Sequence, residues 1–176
     1  MRCCDEIKFS RLISFDPNLR LSLWKTPEEA RKRILYGMKQ CDIMKISEEE
    51  VAFVSAQESL EEGVSFIRDN FDIKILFVTL GNKGSIVYYK DEKIYCRGIH
   101  QEHVVDTTGA GDTFCGAVLS RILELGTDAL TEKDIREMLL FANAAASIVV
   151  TRKGALCSMP EPEEIRAASS LIDKVL

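Results

Sequence analysis

Long apolar runs are missing from this chain. None approaches the roughly 18 residues that a membrane-spanning helix needs, so no span is expected. An excess of positive charge is missing too. The formal net charge is −5, which argues against a general partner of nucleic acid or of anionic membrane surfaces. No C-x-x-C pair occurs among the six cysteines, Cys3, Cys4, Cys41, Cys96, Cys115 and Cys157. Scattered thiols of this kind suit a reducing cytosol better than a disulfide framework. The opening MRCCDEIKFSR is too charged for a secretory signal, so the expected compartment is the cytoplasm. Histidine is nearly absent. His100 and His103 read H-x-x-H, but no cysteine or carboxylate is spaced to complete a zinc set, and they read as loop residues. Repeats and low-complexity linkers are lacking as well.

What is present suffices for a core: 176 residues, the size of one domain, with 46% hydrophobic. The stretch VVDTTGAGDTFCGAVLSRIL, Val104 to Leu123, stands out. A short apolar run ends at Asp106, and a small-residue turn follows through Gly111. A helix is expected to begin near Asp112, with Phe114, Ala117, Val118, Ile122 and Leu125 on its apolar side. Glycines at 109 and 111 let backbone come close to a ligand. The first N–H groups of a helix lack partners within it, and its dipole is positive there, so this end suits an anion, most often a phosphate. A carboxylate at 112 repels that anion unless it has work to do, such as accepting a proton from a hydroxyl. The competing reading is local: Asp is favoured at helix N-termini in its own right. Two other phosphate loops fail on spacing. There is no G-x-x-x-x-G-K-[ST], and Phe114 stands where a dinucleotide fingerprint needs its third glycine.

Along the chain, strands and helices alternate, which points to an α/β domain with a mainly parallel sheet. Residues 1–9 read as the end of a helix. Leu12 to Phe15 reads as a strand and Asp16-Pro17-Asn18 as a turn. Thr26-Pro27-Glu28-Glu29 opens a helix that runs to about Gln40, with Ile34, Leu35 and Met38 inward. Asp42 to Ile46 is a second strand, and Ser47 to Glu50 starts a helix. Gly63 to Asn70 reads as helical. The apolar run Ile73 to Leu80 reads as a strand covered on both faces. After the turn Gly81 to Gly84 come two hairpin strands, Ser85 to Tyr89 and Lys93 to Arg97. Thr131 caps a long helix with Ile135, Met138, Leu139, Ala142, Ala145 and Val149 as its stripe. A loop from Thr151 to Pro160 leads to a last helix, Glu161 to Val175.

The string DTTGAGDTF resembles the signature of the PfkB, or ribokinase-like, carbohydrate kinases. ISFDPNLRLSLW, KISEEE, VTLGNKG and FANAAASIVVTRKGA are similar to the fructokinase branch, in the family's order. The resemblance implies a three-layer ribokinase-like, Rossmann-like sandwich with a mainly parallel sheet. It implies transfer of phosphate from ATP to a sugar hydroxyl, with fructose to fructose 6-phosphate as the first expectation. Asp112 would be the base, and the N–H groups of Gly109, Ala110 and Gly111 the anion hole. Asp106 and Thr108 would help to hold K⁺. Ser47 and Glu50 stand where the family has N-x-x-E, with Glu50 organising Mg²⁺ and phosphate largely through water. The Ser-x-x-Glu pattern is equally a capping box. Thr79, Gly81 and Gly84, at a strand end and its turn, would meet the nucleotide, and ligands of open α/β sheets bind outside strand carboxyl ends; the alternative, for Gly84 above all, is a tight turn that needs glycine. Asn143 lies on the segment that borders adenine in the family; the plainer alternative is a surface asparagine. Arg152 to Gly154 and Ser158 fall on the loop whose carbonyls complete the cation site. Asp16, Asn18 and Arg20 either build a turn or, in the case of Arg20, reach phosphate.

The family carries a portion before the FDPN strand that supplies central strands, a lid and the sugar-gripping glycines, and nothing here matches it. Residues 1–176 are therefore expected to be the C-terminal nucleotide-binding and catalytic portion of such a kinase. Partners would be ATP and a small sugar, not nucleic acid or membrane, with room for a homodimer in the full-length protein. The alternatives are an inactive nucleotide-binding remnant, or a family kinase for ribose, 2-keto-3-deoxygluconate or a nucleoside.

Overall fold

The structure is a computed structural model that describes residues 12–154 and 156–172. The helix expected over residues 1–9 lies outside the described residues. Those up to Thr79, together with Tyr88–Glu92, make one compact unit; Leu80–Val87 with those from Lys93 onward make a second.

The first unit holds β1 (Ser14–Phe15), α1 (Pro27–Met38), β2 (Ile43–Ser47), α2 (Glu48–Ser55), α3 (Leu60–Asn70) and β3 (Ile75–Thr79). β1 and β2 run parallel with Ser14 opposite Ile43. β2 and β3 also run parallel, from Ile43 opposite Ile75 to Ser47 opposite Thr79. In both β2 and β3 the first four of five residues are buried, the pattern of a strand covered on two faces. α1 begins as its cap predicts: Thr26 Oγ1 accepts the Glu29 N–H at 3.1 Å, with Pro27 first in the helix. It buries Ala30, Ile34 and Met38, while Leu35 is half-buried. α3 starts at Leu60, earlier than expected, because Ser59 caps it and accepts the Glu62 N–H at 3.2 Å.

β4 (Gly84–Tyr89) and β5 (Glu92–Arg97) complete an open, mostly parallel sheet of order β1-β2-β3-β4-β5. They are joined by the turn Lys90-Asp91, with Lys90 at φ 51°. Arg68 Nη2 donates to the Lys90 carbonyl at 2.6 Å.

The second unit adds α4 (Ala110–Leu125), α5 (Glu132–Val149) and α6 (Pro162–Ile172). α4 begins two residues before the expected Asp112. Its cap is Gly109, at φ 83°, a conformation that glycine adopts without strain. Phe114, Ala117, Val118 and Ile122 are buried, whereas Leu125, at the helix end, is exposed. α5 opens with a full capping box between Thr131 and Asp134, and all six residues of its expected stripe are buried. α4 and α5 pack on one another, with the small side chains of Ala142, Ala144 and Ala145 in the core. Among the described residues no helix is long and apolar enough to cross a membrane.

Candidate active site

In the second unit the chain reaches α4 through residues 103–107, which form no regular strand. The Val105 and Asp106 N–H groups both donate to the Val150 carbonyl, at 2.8 and 3.2 Å, fixing this segment to the end of α5. Asp106 then organises two loops. Its Oδ1 accepts the Thr108 N–H at 2.9 Å and its Oδ2 accepts the Gly154 N–H at 3.2 Å. Bonds from the Thr108 side chain and backbone hold the Asp106 carboxyl below its ordinary range; the Gly154 amide adds to this. Ser158 is buried and its hydroxyl donates to the Gly154 carbonyl. The expected cation residues Asp106 and Thr108 are thus bonded to each other, and Asp106 stands beside Gly154, itself bonded to Ser158.

At the head of α4 the Ala110 N–H donates to the Thr107 carbonyl at 3.3 Å. The N–H groups of Gly109, Gly111 and Asp112 have no partner among the described residues. No side chain caps this end. The Asp112 carboxylate is exposed, in the first helical turn, and has no partner among the described residues. Next to it Thr113 is buried, and its hydroxyl has no partner among the described residues; nothing in the structure explains it.

The turn Gly81–Lys83 is exposed, and Gly84 behind it is buried. Gly84 has φ 114°, and a side chain there would collide with the Cys96–Gly98 backbone. Asn143 is not a surface residue: it is buried, and its side chain is bonded to Ser85 and to the carbonyls of Cys96 and Arg97.

In the first unit the expected residues stand at strand ends. Ser47 and Thr79 are the last residues of β2 and β3 and lie opposite each other. Ser47 and Glu50 form a complete capping box, the local alternative expected for that pattern. Glu50 is buried, and both carboxylate oxygens are engaged: Oε2 accepts the Ser47 N–H at 2.9 Å and Oε1 the Leu19 N–H at 2.6 Å. Asp16 builds the turn by accepting the Asn18 N–H at 3.2 Å. It also pairs with Lys45, buried on β2, at 3.3 Å. Burial pushes the Asp16 carboxyl up, and Lys45 pulls against it. Sequence reasoning missed Lys45. The only signal was a lysine inside the apolar strand Ile43–Ile46.

Among the described residues no three His, Cys, Asp or Glu side chains are grouped to hold a metal ion. A cation here would lean on single carboxylates and backbone oxygens. Cys41, Cys96, Cys115 and Cys157 are free thiols, and burial raises the pKa of Cys41 to about 12.

The sheet is open and mostly parallel, the kind of α/β sheet whose ligands bind outside strand carboxyl ends; separately, a helix mouth with unpaired amides suits an anion. Over residues 1–162 the chain matches the pfkB family of carbohydrate kinases, and it belongs to that family. It is 41% identical to Fructokinase-1 of Oryza sativa subsp. japonica over 157 residues, covering 88% of this chain and 47% of that one. Among solved structures it is similar to a double mutant of fructokinase from Vibrio cholerae O395, in a form with fructose, ADP and potassium ion. The TM-score is 0.84 at 33% identity, over 94% of this chain and 53% of that one. Aminoimidazole riboside kinase from Salmonella enterica, complexed with aminoimidazole riboside and an ATP analog, gives a TM-score of 0.82 at 26% identity, over 96% of this chain and 57% of that one. The ribokinase-like α/β fold expected from the sequence is the fold observed. The chain spans about half the length of these relatives.

Proposed function

We propose that residues 1–176 are the C-terminal, nucleotide-binding and catalytic portion of a cytoplasmic sugar kinase that converts fructose and ATP to fructose 6-phosphate and ADP. Asp112 carries the reading. An exposed, unpaired carboxylate at a helix mouth that favours anions is explained by a proton it must accept. The sugar hydroxyl oxygen bonds to the γ-phosphorus as the bond to the ADP oxygen breaks, and the hydroxyl proton passes to Asp112. The amides of Gly109, Gly111 and Asp112 donate to the oxygens of the moving group, with Ala110 as the fourth member of the turn.

The nucleotide lies along the exposed turn Gly81–Lys83 after Thr79, with the buried Gly84 shaping that turn from behind. The donor sets fit two cations unequally. Asp106, already aligned by two amides, and Thr108 offer hard oxygen atoms that suit K⁺. Glu50 would meet Mg²⁺ through water because it is buried, whereas Asp106 is only half-buried; in both, each oxygen already accepts one backbone N–H, and Ser47 fixes the pose of Glu50. When bound, these ions would neutralise charge on the phosphates.

An ATP-dependent fructose phosphorylation assay on Asp112→Asn tests this. Turnover should fall by roughly 10²–10⁴, with ATP affinity by calorimetry unchanged. Near-normal turnover overturns the base assignment. One observation favours a second reading: the chain spans 47% of the rice enzyme. If the sugar contacts belong to the unmatched part, this chain binds ATP without turning it over. The similarity to a riboside kinase makes ribose and nucleosides the competing acceptors, and a substrate panel separates them from fructose.

A further inference from the structure

Asn143 is the odd residue of α5. Asparagine is a middling helix former, and its neighbours Ala142, Ala144 and Ala145 are buried and apolar. Its side chain is 7% exposed and engaged at both ends. Oδ1 accepts the Ser85 hydroxyl at 3.1 Å. Nδ2 donates to the Cys96 and Arg97 carbonyls at 3.3 and 3.4 Å. One amide thus ties the start of β4 to the end of β5. Ser85 is fully buried at 0%, so its hydroxyl cannot meet a ligand.

The same place is tight in its backbone. A side chain at 84 would put its Cβ 2.7 Å from the Arg97 carbonyl carbon, and one at 98 would put its Cβ 2.9 Å from the Gly84 nitrogen. The Gly98 N–H donates to the Lys83 carbonyl at 3.0 Å, and the Tyr95 hydroxyl donates to the same oxygen at 2.6 Å. The Leu80 N–H donates to the Gly84 carbonyl at 2.8 Å. A partnered polar network with a buried amide at its centre rigidifies what it joins. An alanine at 143 would continue the α5 stripe, so helix packing alone does not call for the amide.

We propose that Asn143 and Ser85 are positioning residues for the nucleotide, acting through the 81–84 turn and not by touching the base. They lock 80–85 and 96–98 into one ledge, whose exposed rim, Gly81 to Lys83, meets the ligand already ordered. This rests on the nucleotide reading above and goes past it: it changes what Asn143 does and adds Ser85, Tyr95 and Gly98, none of which the motifs single out.

The test titrates ADP into the full chain by calorimetry and follows amide exchange at Leu80 and Gly98. Ser85→Ala should weaken ADP binding by roughly 3- to 10-fold, the scale of one hydrogen bond, and speed exchange at both amides. Tyr95→Phe changes an exposed residue and leaves the fold intact, so it keeps the test readable if Ser85→Ala does not fold; it should weaken binding in the same direction, by less. If both variants bind ADP as tightly as the parent while Asn143→Ala does not, Asn143 touches the nucleotide and the proposal falls. Faster exchange with unaltered ADP affinity also overturns it, leaving the network a purely structural one. If the parent chain itself binds no ADP while Leu80 and Gly98 stay protected, the nucleotide reading is what has failed, and the positioning role goes with it.

Discussion

Lys45 is the residue least advertised by its neighbours in sequence. It sits in an apolar strand, yet its ammonium is buried against Asp16 at 3.3 Å. Removing one partner of a buried pair leaves the other charge stranded, at a cost of about 3–5 kcal/mol. Lys45→Ala should therefore lower unfolding stability toward the lower end of that range, since Asp16 keeps some access to solvent. Urea denaturation reads this, and Lys45→Met with Asp16→Leu should recover much of the loss. The carboxyls also set the acid response, with opposite signs. Asp106 and Asp134 are held low, first of all by bonds from Thr108 and Thr131 side chains. Each contributes stability above its ordinary value of about 4 that is lost as pH falls through its lower folded value. Asp16 is raised, so its ionisation takes stability away as pH rises through its folded value. Melting temperatures of Asp134→Asn and the parent across an acid series check the sign: the variant should lose less on acidification.

The side-chain caps of α1 and α5 are legible in the sequence. Thr26 and Thr131 begin α1 and α5 where the motifs put them, and the α5 stripe is buried as its spacing requires. Thr131→Ala should cost about 1 kcal/mol, read by thermal or urea unfolding. Ala145 is buried in the core of the second unit; Ala145→Leu should destabilise by about 1–3 kcal/mol through overpacking, also read by urea unfolding. The start of α4 was two residues off because Gly109 caps it by backbone conformation, which no side chain announces. α3 begins three residues before the expected Gly63, with Ser59 and Glu62 at cap spacing. Glycine at 63 reads as a start in sequence, yet it lies inside the helix.

For the whole molecule, the family and the α/β fold follow from the order of the motifs and are met by the match over residues 1–162. The portion assigned here to nucleotide chemistry should bind ATP in calorimetry whether or not it binds fructose; absence of ATP binding would remove the kinase reading altogether. Turn chemistry, caps, the buried strands and the Gly109–Asp112 motif are set by neighbours within a few residues, and so were written in the sequence alone. What the tertiary structure decided is which polar groups hold each other across distance. Glu50 reaches Leu19, 31 residues away, and Lys45 reaches Asp16, 29 away. Asp106 reaches Gly154, 48 away, and Ser85 reaches Asn143, 58 away. No local preference encodes such partners. A buried polar atom must find one wherever the chain brings it, and only the folded backbone fixes which is near enough.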